Sequence, residues 1–300
     1  MYDIIIVGAG TAGLSAAIYG VRAGLSVLVL ENMTYGGQII NALHVQNYPG
    51  IPTVSGFDFA TALYDQALAL GAEIQLQEVT GIDNSGMYTK VFAGDTTFEC
   101  RSLIIATGAK NRPLGIEDEN RLIGLGISYC ATCDGAFYKG MDVAVVGGGN
   151  TAVEDALFLS SYCSKVYLIH RRREFRAEPK EISLLRAKPN VELVLDSGVT
   201  KLHGQTKLES ITVHNTADNS EREIAVAGLF VAIGQSPANA PFAPLVALDD
   251  YGYVVAGEDC KTNVPGIFAA GDCRTKTVRQ LVTAAADGAV AAIAAAEYIK

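Results

Sequence analysis

The chain contains two copies of a pattern in which an apolar run leads directly into a glycine-rich turn and then into a helical stretch. In the first copy, the β-branched run Tyr2–Val7 predicts a buried parallel strand. Gly8, Gly10 and Gly13 follow with the spacing that permits a tight turn, close backbone approach to a pyrophosphate and close helix–strand packing. Residues 14–23 have helical spacing. This order predicts a nucleotide-binding βαβ unit.

The same order recurs in the middle of the chain. Residues 142–146 predict a strand, Gly147, Gly149 and Ala152 stand in the turn, and residues 153–162 predict a helix. A single turn of this kind is a weak indication, but two copies in register are hard to obtain by chance. The chain is therefore predicted to have an α/β fold with two Rossmann-like nucleotide-binding units.

The two copies differ at the end of their second strand. Glu31 ends that strand in the first copy, where its carboxylate is suited to accept hydrogen bonds from a ribose 2′-hydroxyl of FAD or NAD. In the second copy His170 holds this position, and Arg171, Arg172 and Arg176 follow it. The basic cluster predicts a site for a 2′-phosphate, and therefore NADPH as the second nucleotide. A solvated basic face is the alternative, which the location at a strand end disfavours.

Two cysteines with a redox spacing precede the second glycine turn. Cys130 and Cys133 form a C-x-x-C pair that can close and reopen a disulfide, so the pair can carry two electrons. Zinc is the alternative, but a tetrahedral site needs four ligands, and the sequence has no second C-x-x-C and no paired H-x-x-x-H spacing. We predict no metal site. The order of motifs suggests an electron path from nicotinamide through flavin and disulfide to a partner.

Length and charge limit the classes of partner. Three hundred residues suffice for two domains with ordinary cores, and the net charge of −9 argues against non-specific binding to nucleic acid or to an anionic membrane. The chain runs from Met1 into the first strand with no targeting segment, and its alanine-rich C-terminus is interrupted by Asp287. We expect a soluble, cytoplasmic protein that binds neither nucleic acid nor membrane.

Three further apolar runs end in small residues. They cover residues 103–108, 229–234 and 266–272, and the last of them ends in Asp272. Ligands bind at the carboxyl ends of strands in open α/β sheets. Arg279 and Gln280 then begin an alanine-rich helix, where their amides and side chains are expected to face a flavin ring.

Together these motifs resemble the low-molecular-weight bacterial thioredoxin reductases over the whole chain. The hexapeptide Cys130–Gly135 and the segment His170–Arg176 are the most specific of them. The resemblance implies a homodimer whose second Rossmann-like domain is inserted in the first. Residues 1–112 and 241–300 are then the FAD-binding domain, and residues 113–240 are the NADPH-binding domain that carries the redox dithiol.

The resemblance also implies which residues bind the two cofactors. Those for FAD are Gly8, Gly10, Thr11, Ala12, Gly13, Glu31, Gly37, Gln38, Asn47, Val79, Ala106, Thr107, Gly108, Gly271, Asp272, Arg279, Gln280 and Leu281. Those for NADPH are Gly147, Gly149, Asn150, Thr151, His170, Arg171, Arg172, Arg176, Ile233 and Gly234.

The family's mechanism gives three residues of this chain a chemical role. Cys133 exchanges electrons with the flavin, Cys130 attacks the disulfide of thioredoxin, and Asp134 is the general acid that protonates the departing thiolate. Capping of a helix N-terminus is an alternative role for Asp134, and both roles can hold. Because the dithiol cannot contact flavin and a protein disulfide at once, the resemblance implies rotation of the inserted domain about joints near residues 111–113 and 235–237.

Other functions fit part of the sequence. The same chemistry can serve another small disulfide protein, but the relatives that reduce peroxiredoxins carry an N-terminal extension with its own C-x-x-C, which this sequence lacks. Relatives fed by ferredoxin or another flavin source lack the intact nucleotide turn and basic cluster. A redox sensor without turnover would keep the same motifs, and an assay with NADPH and a disulfide protein separates it from an enzyme.

We predict that replacing Arg171 and Arg172 together with alanine impairs the use of NADPH far more than that of NADH. Each charged contact to the 2′-phosphate contributes about 1.5–3 kcal/mol, and NADH has no such phosphate. Steady-state kcat/KM with each nucleotide measures the effect. Equal losses with both nucleotides would mean that the basic cluster is only a surface feature.

Overall fold

The computed structural model describes residues 1–42 and 44–300, and the chain divides into two compact units. Unit 1 consists of Met1–Lys110 with Ser236–Lys300, and unit 2 consists of Asn111–Gln235. In sequence, unit 2 is therefore an insertion in unit 1. The domain boundaries expected from the sequence follow residues 112 and 240, and the joints expected for rotation lie near residues 111–113 and 235–237, whereas the structure divides after residues 110 and 235.

The strands and helices of the described residues are as follows. The strands are β1 (Tyr2–Val7), β2 (Val27–Glu31), β3 (Glu73–Leu76), β4 (Val79–Asp83), β5 (Thr89–Ala93), β6 (Thr96–Ile105), β7 (Ala109–Asn111), β8 (Ile127–Ser128), β9 (Asp142–Val146), β10 (Lys165–Ile169), β11 (Val191–Val194), β12 (Ser197–His203), β13 (Ser210–Asn215), β14 (Glu221–Ala225), β15 (Gly228–Val231), β16 (Gln235–Pro237) and β17 (Ile267–Ala269). The α-helices are α1 (Thr11–Arg22), α2 (Gly56–Ala69), α3 (Glu119–Leu122), α4 (Ala131–Asp134), α5 (Asn150–Ser160), α6 (Pro179–Arg186) and α7 (Leu281–Ile299). Short 3₁₀ turns cover Gly37–Asn41, Gly135–Tyr138, Ala240–Phe242 and Gly271–Cys273.

Unit 1 is built on a parallel sheet with the strand order β3-β2-β1-β6-β17. Its central strand β1 is buried on both faces at Ile4–Val7, as a parallel strand between two others requires. Strand β6 is long enough to pair with different strands along its two halves. Its first half pairs antiparallel with β5, which pairs with β4, and its second half enters the parallel sheet.

Unit 2 repeats this plan. Its parallel sheet has the order β11-β10-β9-β15-β8, and β12, β13 and β14 form a separate antiparallel sheet. Strands β1 and β9 have the bounds that the apolar runs predict. The predicted α/β fold with two Rossmann-like units is therefore confirmed.

The two helices that follow the glycine turns begin three residues earlier than the periodicity predicts. Helix α1 starts at Thr11 with Gly10 as its N-cap, and α5 starts at Asn150 with Gly149 as its N-cap. The last part of each glycine motif is thus the first helical turn, whose apolar residues are too few to show a period. The C-terminal helix instead begins later than the sequence predicts, at Leu281. Gln280 is its N-cap and forms a capping box with Thr283 in the first helical turn.

Helix α7 packs against α1 through small residues. A Cβ on Gly288 would overlap the carbonyl oxygen of Ala12, and the Ser15 hydroxyl donates to the Ala285 carbonyl at 2.7 Å. Among the described residues, α7 is the one helix that is long and apolar enough to cross a membrane. The core helix of a soluble protein can have the same length and composition. Its contact with α1 and its buried Asp287 are typical of such a core helix.

Asp287 lies at the centre of a buried ionic network. The Arg274 guanidinium, 1% exposed, donates to both carboxylate oxygens at 2.8 and 2.9 Å, and the Lys276 ammonium donates at 2.8 Å. The amide of Gly271 donates to the same carboxylate at 2.9 Å. Burial opposes the ionised form, but the hydrogen bonds from Arg274 and Lys276 prevail and hold the pKa of Asp287 below its ordinary value.

We predict that Asp287→Asn lowers the free energy of unfolding by about 3–5 kcal/mol, because it leaves the buried Arg274 with only the exposed carboxylate of Glu258, 3.5 Å away, as a counter-charge. Asp259→Asn, which loses only an exposed pair with Lys261, is the matched control and should leave the urea midpoint unchanged.

Since the folded pKa of Asp287 is lowered, its stabilisation is present above the pKa of an unfolded carboxyl and is lost as pH falls through the folded pKa. The difference between wild type and Asp287→Asn should therefore shrink below about pH 4.

Candidate functional site

The two redox cysteines lie where strand β8 leads into the short helix α4. Cys130 and Cys133 are joined in a disulfide, with their Cα atoms 5.3 Å apart. Cys130 is the N-cap of α4, and its Sγ accepts the amide hydrogen of Cys133 at 3.2 Å. One helical turn brings residues three apart onto the same face, which is why this spacing closes a disulfide. Cys133 is exposed and Cys130 is half-buried.

Asp134 stands beside the disulfide at the end of α4. Its carboxylate accepts a hydrogen bond from the Ser128 hydroxyl at 2.6 Å. Burial raises the pKa of Asp134, and the bond from Ser128 counteracts part of that rise. Asp134 occupies the N-cap position of the 3₁₀ turn Gly135–Tyr138, as the alternative role expects, but its side chain makes no capping hydrogen bond there. A carboxyl with a raised pKa can hold a proton for a departing thiolate.

The glycine turn of unit 2 has the shape of a dinucleotide cradle. A Cβ on Gly147 would overlap the Ala232 carbonyl oxygen, so this residue has to be glycine. No atom of the described chain lies within 4 Å of the position that a Cβ on Gly149 would take. The backbone is therefore open at Gly149, where α5 begins with Asn150 and Thr151 and presents its N-terminal amides.

His170 and the arginines lie differently with respect to solvent. The His170 ring is buried, stacks on Phe175 and approaches the Glu174 carbonyl oxygen at 3.1 Å. It also lies against Gly148, where a Cβ would overlap it. Burial lowers the pKa of His170, so its ring is neutral at pH 7. His170 therefore packs beneath the turn and does not present its ring on the surface beside the arginines.

The loop that carries the arginines after His170 lies next to the glycine turn. Arg171, Arg172 and Arg176 are exposed, and the Arg176 amide donates to the Gly148 carbonyl at 2.8 Å. Ile233 and Gly234 follow β15 at the same carboxyl edge of the sheet, and the Gly234 carbonyl accepts from the Arg112 amide at 3.0 Å. The structure thus brings the predicted nucleotide residues of unit 2 to one edge.

The glycine turn of unit 1 has the same construction. Gly8 has φ +108°, and a Cβ there would overlap the Ala106 carbonyl oxygen. A Cβ on Gly13 would overlap the carbonyl oxygen of Gly8, whereas a Cβ on Gly10 would come no closer than 4.0 Å to Gly37. Gly10 is thus open to a ligand while its neighbours fix the turn, and Thr11 and Ala12 form the first turn of α1.

The carboxylate at the end of β2 is oriented by backbone amides. Glu31 accepts from the Ala9 amide at 2.8 Å and from the Met33 amide at 3.0 Å. These bonds hold the carboxylate next to the glycine turn, where an adenosine ribose lies in folds of this type.

A second group of predicted residues meets at the carboxyl edge of the unit 1 sheet. Asp272 is the informative member, because its Oδ1 is buried and has no hydrogen-bond partner within the described chain. Burial raises the pKa of its carboxyl. The Asn47 amide donates to the Gln280 side chain at 3.1 Å, and the Arg279 guanidinium lies 4.1 Å from the ring centre of Tyr253. An unpartnered buried oxygen needs a donor, which a ligand hydroxyl would provide.

The remaining predicted residues of unit 1 lie on the elements around this edge. Gln38 donates to the Ala109 carbonyl, Thr107 donates to Asn239 at 2.8 Å, and Val79 begins β4 within the core. The others are Gly37 in the first 3₁₀ turn, Ala106 and Gly108 after β6, Gly271 after β17 and Leu281 at the start of α7.

Sequence reasoning missed three residues that support this edge. Asn239, 1% exposed, accepts from Thr107 and donates to the carbonyl oxygens of Gly252 and Cys273 at 2.9 and 2.8 Å. Arg274 and Asp287 hold the amide of Gly271 through the ionic network described above. No local pattern marks Asn239 or Arg274; the charge of Asp287 within an alanine-rich segment is the available signal.

Two dinucleotide-type turns and a C-x-x-C disulfide define a nucleotide-dependent disulfide oxidoreductase. The open glycines, the oriented Glu31 carboxylate and the unpartnered Asp272 oxygen fit a flavin dinucleotide in unit 1, and the arginine loop fits a pyridine nucleotide in unit 2. Residues 2–288 match the pyridine nucleotide-disulphide oxidoreductase family, and the chain belongs to that family.

Individual relatives and solved structures agree with this assignment. The chain is 40% identical over 301 residues to a thioredoxin reductase of Listeria innocua, covering 100% of this chain and 94% of that one. It is 41% identical over 299 residues to a thioredoxin reductase of Treponema pallidum, covering 99% and 97%. The crystal structure of thioredoxin reductase from Streptococcus pyogenes superposes with a TM-score of 0.95 at 37% identity, covering 99% of this chain and 98% of that chain.

We predict that neighbouring glycines of the second turn respond differently to alanine. Gly148→Ala has to displace the His170 ring and should lower the free energy of unfolding by about 1–3 kcal/mol. Gly149→Ala meets no protein atom and should cost less than about 1 kcal/mol, but its methyl group enters the path of a pyrophosphate and weakens nucleotide binding. Urea unfolding without nucleotide and a binding titration measure the two effects. Loss of stability in Gly149→Ala with unchanged binding would contradict this division of roles.

Proposed function

We propose that this protein is a thioredoxin-disulfide reductase that transfers electrons from NADPH through FAD and the Cys130–Cys133 pair to thioredoxin. The observation that carries the proposal is the disulfide between these cysteines, in a chain 40% identical over its full length to a thioredoxin reductase. The four other cysteines, Cys100, Cys163, Cys260 and Cys273, are buried and unpaired, so they do not compete for this role.

FAD is the proposed flavin of unit 1. The backbone at Gly10 is open to a pyrophosphate, and Glu31 is placed to accept from ribose hydroxyls. The unpartnered oxygen of Asp272 is suited to accept from a hydroxyl of the flavin's sugar chain. Asn47, Arg279 and the other residues predicted for FAD are proposed to complete the site.

NADPH is the proposed reductant, held by unit 2. Gly149 and the N-terminal amides of α5 would receive the pyrophosphate, and the exposed guanidinium groups of Arg171, Arg172 and Arg176 would bind the 2′-phosphate. His170 supports this site from below by packing against Gly148, rather than by charge.

The residues of this chain carry the thiol chemistry. Bound NADPH and FAD supply the two electrons that reduce the disulfide. In the reduced protein, the Cys130 thiolate bonds to one sulfur of thioredoxin's disulfide, that disulfide breaks, and the other thioredoxin sulfur leaves with a proton from Asp134. Cys133 then gives its thiol proton to the ionised Asp134, attacks the Cys130 sulfur and releases the second thioredoxin sulfur, which takes a proton from solvent. The Cys130–Cys133 disulfide is thereby restored and thioredoxin gains two electrons.

The assembly and location of the enzyme are part of the proposal. We infer a homodimer in the cytoplasm, with the NADPH-binding domain rotating between half-reactions so that the nucleotide and the dithiol reach the flavin in turn. Exposed apolar side chains on α7, among them Val290 and Ile293, are suited to an interface between copies. Four unpaired thiols favour a reducing compartment, and the net charge of −9 disfavours nucleic acid and membrane surfaces.

An anaerobic titration with NADPH tests the proposed function. Flavin and disulfide are two linked acceptors, so bleaching of the flavin absorbance should need about two equivalents of NADPH, and oxidised thioredoxin should restore the absorbance. Cys130→Ser with Cys133→Ser is the matched control, which should bleach with about one equivalent and not recover. Wild-type bleaching after one equivalent without recovery would show a different flavin reductase, and no chromophore after addition of FAD would overturn the proposal.

A further inference from the structure

We propose that Ser128 is a positioning residue that holds Asp134 and Cys130 in register for thiol–disulfide exchange. The inference rests on the proposed function, in which Asp134 gives its proton to the departing thiolate. Ser128 ends strand β8, two residues before Cys130, and is 4% exposed. A buried hydroxyl is costly unless it is hydrogen-bonded, so its partners indicate its role.

The Ser128 hydroxyl connects the backbone of Cys130 with the carboxylate of Asp134. Its Oγ accepts the amide hydrogen of Cys130 at 3.0 Å and donates to Oδ2 of Asp134 at 2.6 Å. The Cys130 carbonyl oxygen lies 3.3 Å from the same Oγ and is a second acceptor for its proton. One side chain therefore fixes both the backbone that carries the attacking sulfur and the carboxyl that carries the proton.

This arrangement suits both protonation states of Asp134. When the carboxyl is ionised, the Ser128 proton points to it. When the carboxyl is protonated, Ser128 Oγ can accept from it and turn its own proton to the Cys130 carbonyl. The acid can thus lose and regain its proton while Ser128 stays hydrogen-bonded to it.

The hydrogen bond from Ser128 affects the pKa of Asp134, and other titratable groups lie near this carboxyl. Burial raises the pKa of Asp134, and the Ser128 bond, which favours the ionised form, lowers it. In the following 3₁₀ turn, burial and then Asp134 raise the pKa of Tyr138 to about 12. On α5, which packs against α4, burial and then Glu154 raise the pKa of Asp155 to about 7. Burial, with Cys163 and Asp155, raises the pKa of Tyr162 to about 12. Asp155 is therefore the group whose titration has to be separated from that of Asp134.

The test compares Ser128→Ala, Ser128→Thr and the control Ser197→Ala in the holoenzyme. Ser197 is another buried serine of unit 2, 2% exposed, whose hydroxyl donates to the Leu195 carbonyl at 2.6 Å and accepts from the Asn215 side-chain amide at 3.3 Å, with no contact to the redox segment among these bonds. Ser128→Ala should lower kcat/KM for thioredoxin roughly tenfold, as expected for one lost hydrogen bond to a charged group. The alkaline limb of its pH profile should move to higher pH, because the ionised carboxyl has lost a donor. Ser128→Thr should restore both, and Ser197→Ala should change neither.

Making Ser128→Ala in an Asp134→Asn background tests whether its effect depends on the Asp134 carboxyl. Ser128→Ala should not move the pH profile there, since the titrating partner is gone while Asp155 remains. A loss that is equal at every pH and persists in the Asp134→Asn background would overturn the proposal and leave Ser128 a structural role.

A direct titration separates this inference from the proposed function. Carbon-13 NMR of the Asp134 carboxyl reports its pKa without any turnover, and that pKa should be higher in Ser128→Ala than in wild type. An unchanged pKa would overturn the role of Ser128 even in an active enzyme. Absence of thioredoxin reduction by the wild-type enzyme would instead overturn the proposed function.

Discussion

The close approach of each glycine turn to a neighbouring strand is the constraint on which both units depend. Gly8 packs against the Ala106 carbonyl and Gly147 against the Ala232 carbonyl, with no room for a Cβ at either position. This contact brings the N-terminus of the following helix to the carboxyl edge of the sheet. The residues proposed to bind nucleotides are gathered at that edge in both units, so the binding geometry follows from the packing of two glycines.

The two units differ in the charges placed on this common frame. In unit 1 the edge is acidic at Glu31 and Asp272, and a buried arginine–aspartate pair holds the Gly271 amide beneath it. In unit 2 the edge carries exposed arginines over a neutral, buried His170. One fold therefore carries two different sets of charges at its strand ends, while the cores beneath them stay apolar.

Local sequence patterns predicted the strands and helices well, but they did not predict the contacts between side chains. Strands such as Asp142–Val146 were predictable to the residue, because a buried parallel strand is apolar throughout and a glycine turn ends it. The burial of His170 was not, since it results from contact with Gly148 and Phe175 across the turn. The partners of Asp134 and Asp287 also come from other segments. Motif spacing shows which residue types meet a ligand, whereas their protonation and orientation depend on neighbours that only the folded chain brings together.

The fifth strand of each parallel sheet occupies the same place but comes from opposite ends of its unit. Strand β17 closes the sheet of unit 1 late in the chain, whereas β8 closes that of unit 2 before its first βαβ element. Unit 2 is thus a circularly permuted copy of unit 1. The segment after the fifth strand carries Asp272 in one copy and the Cys130–Cys133 disulfide in the other. The unpartnered carboxylate oxygen and the disulfide therefore stand at equivalent places beside two parallel sheets that share one strand order.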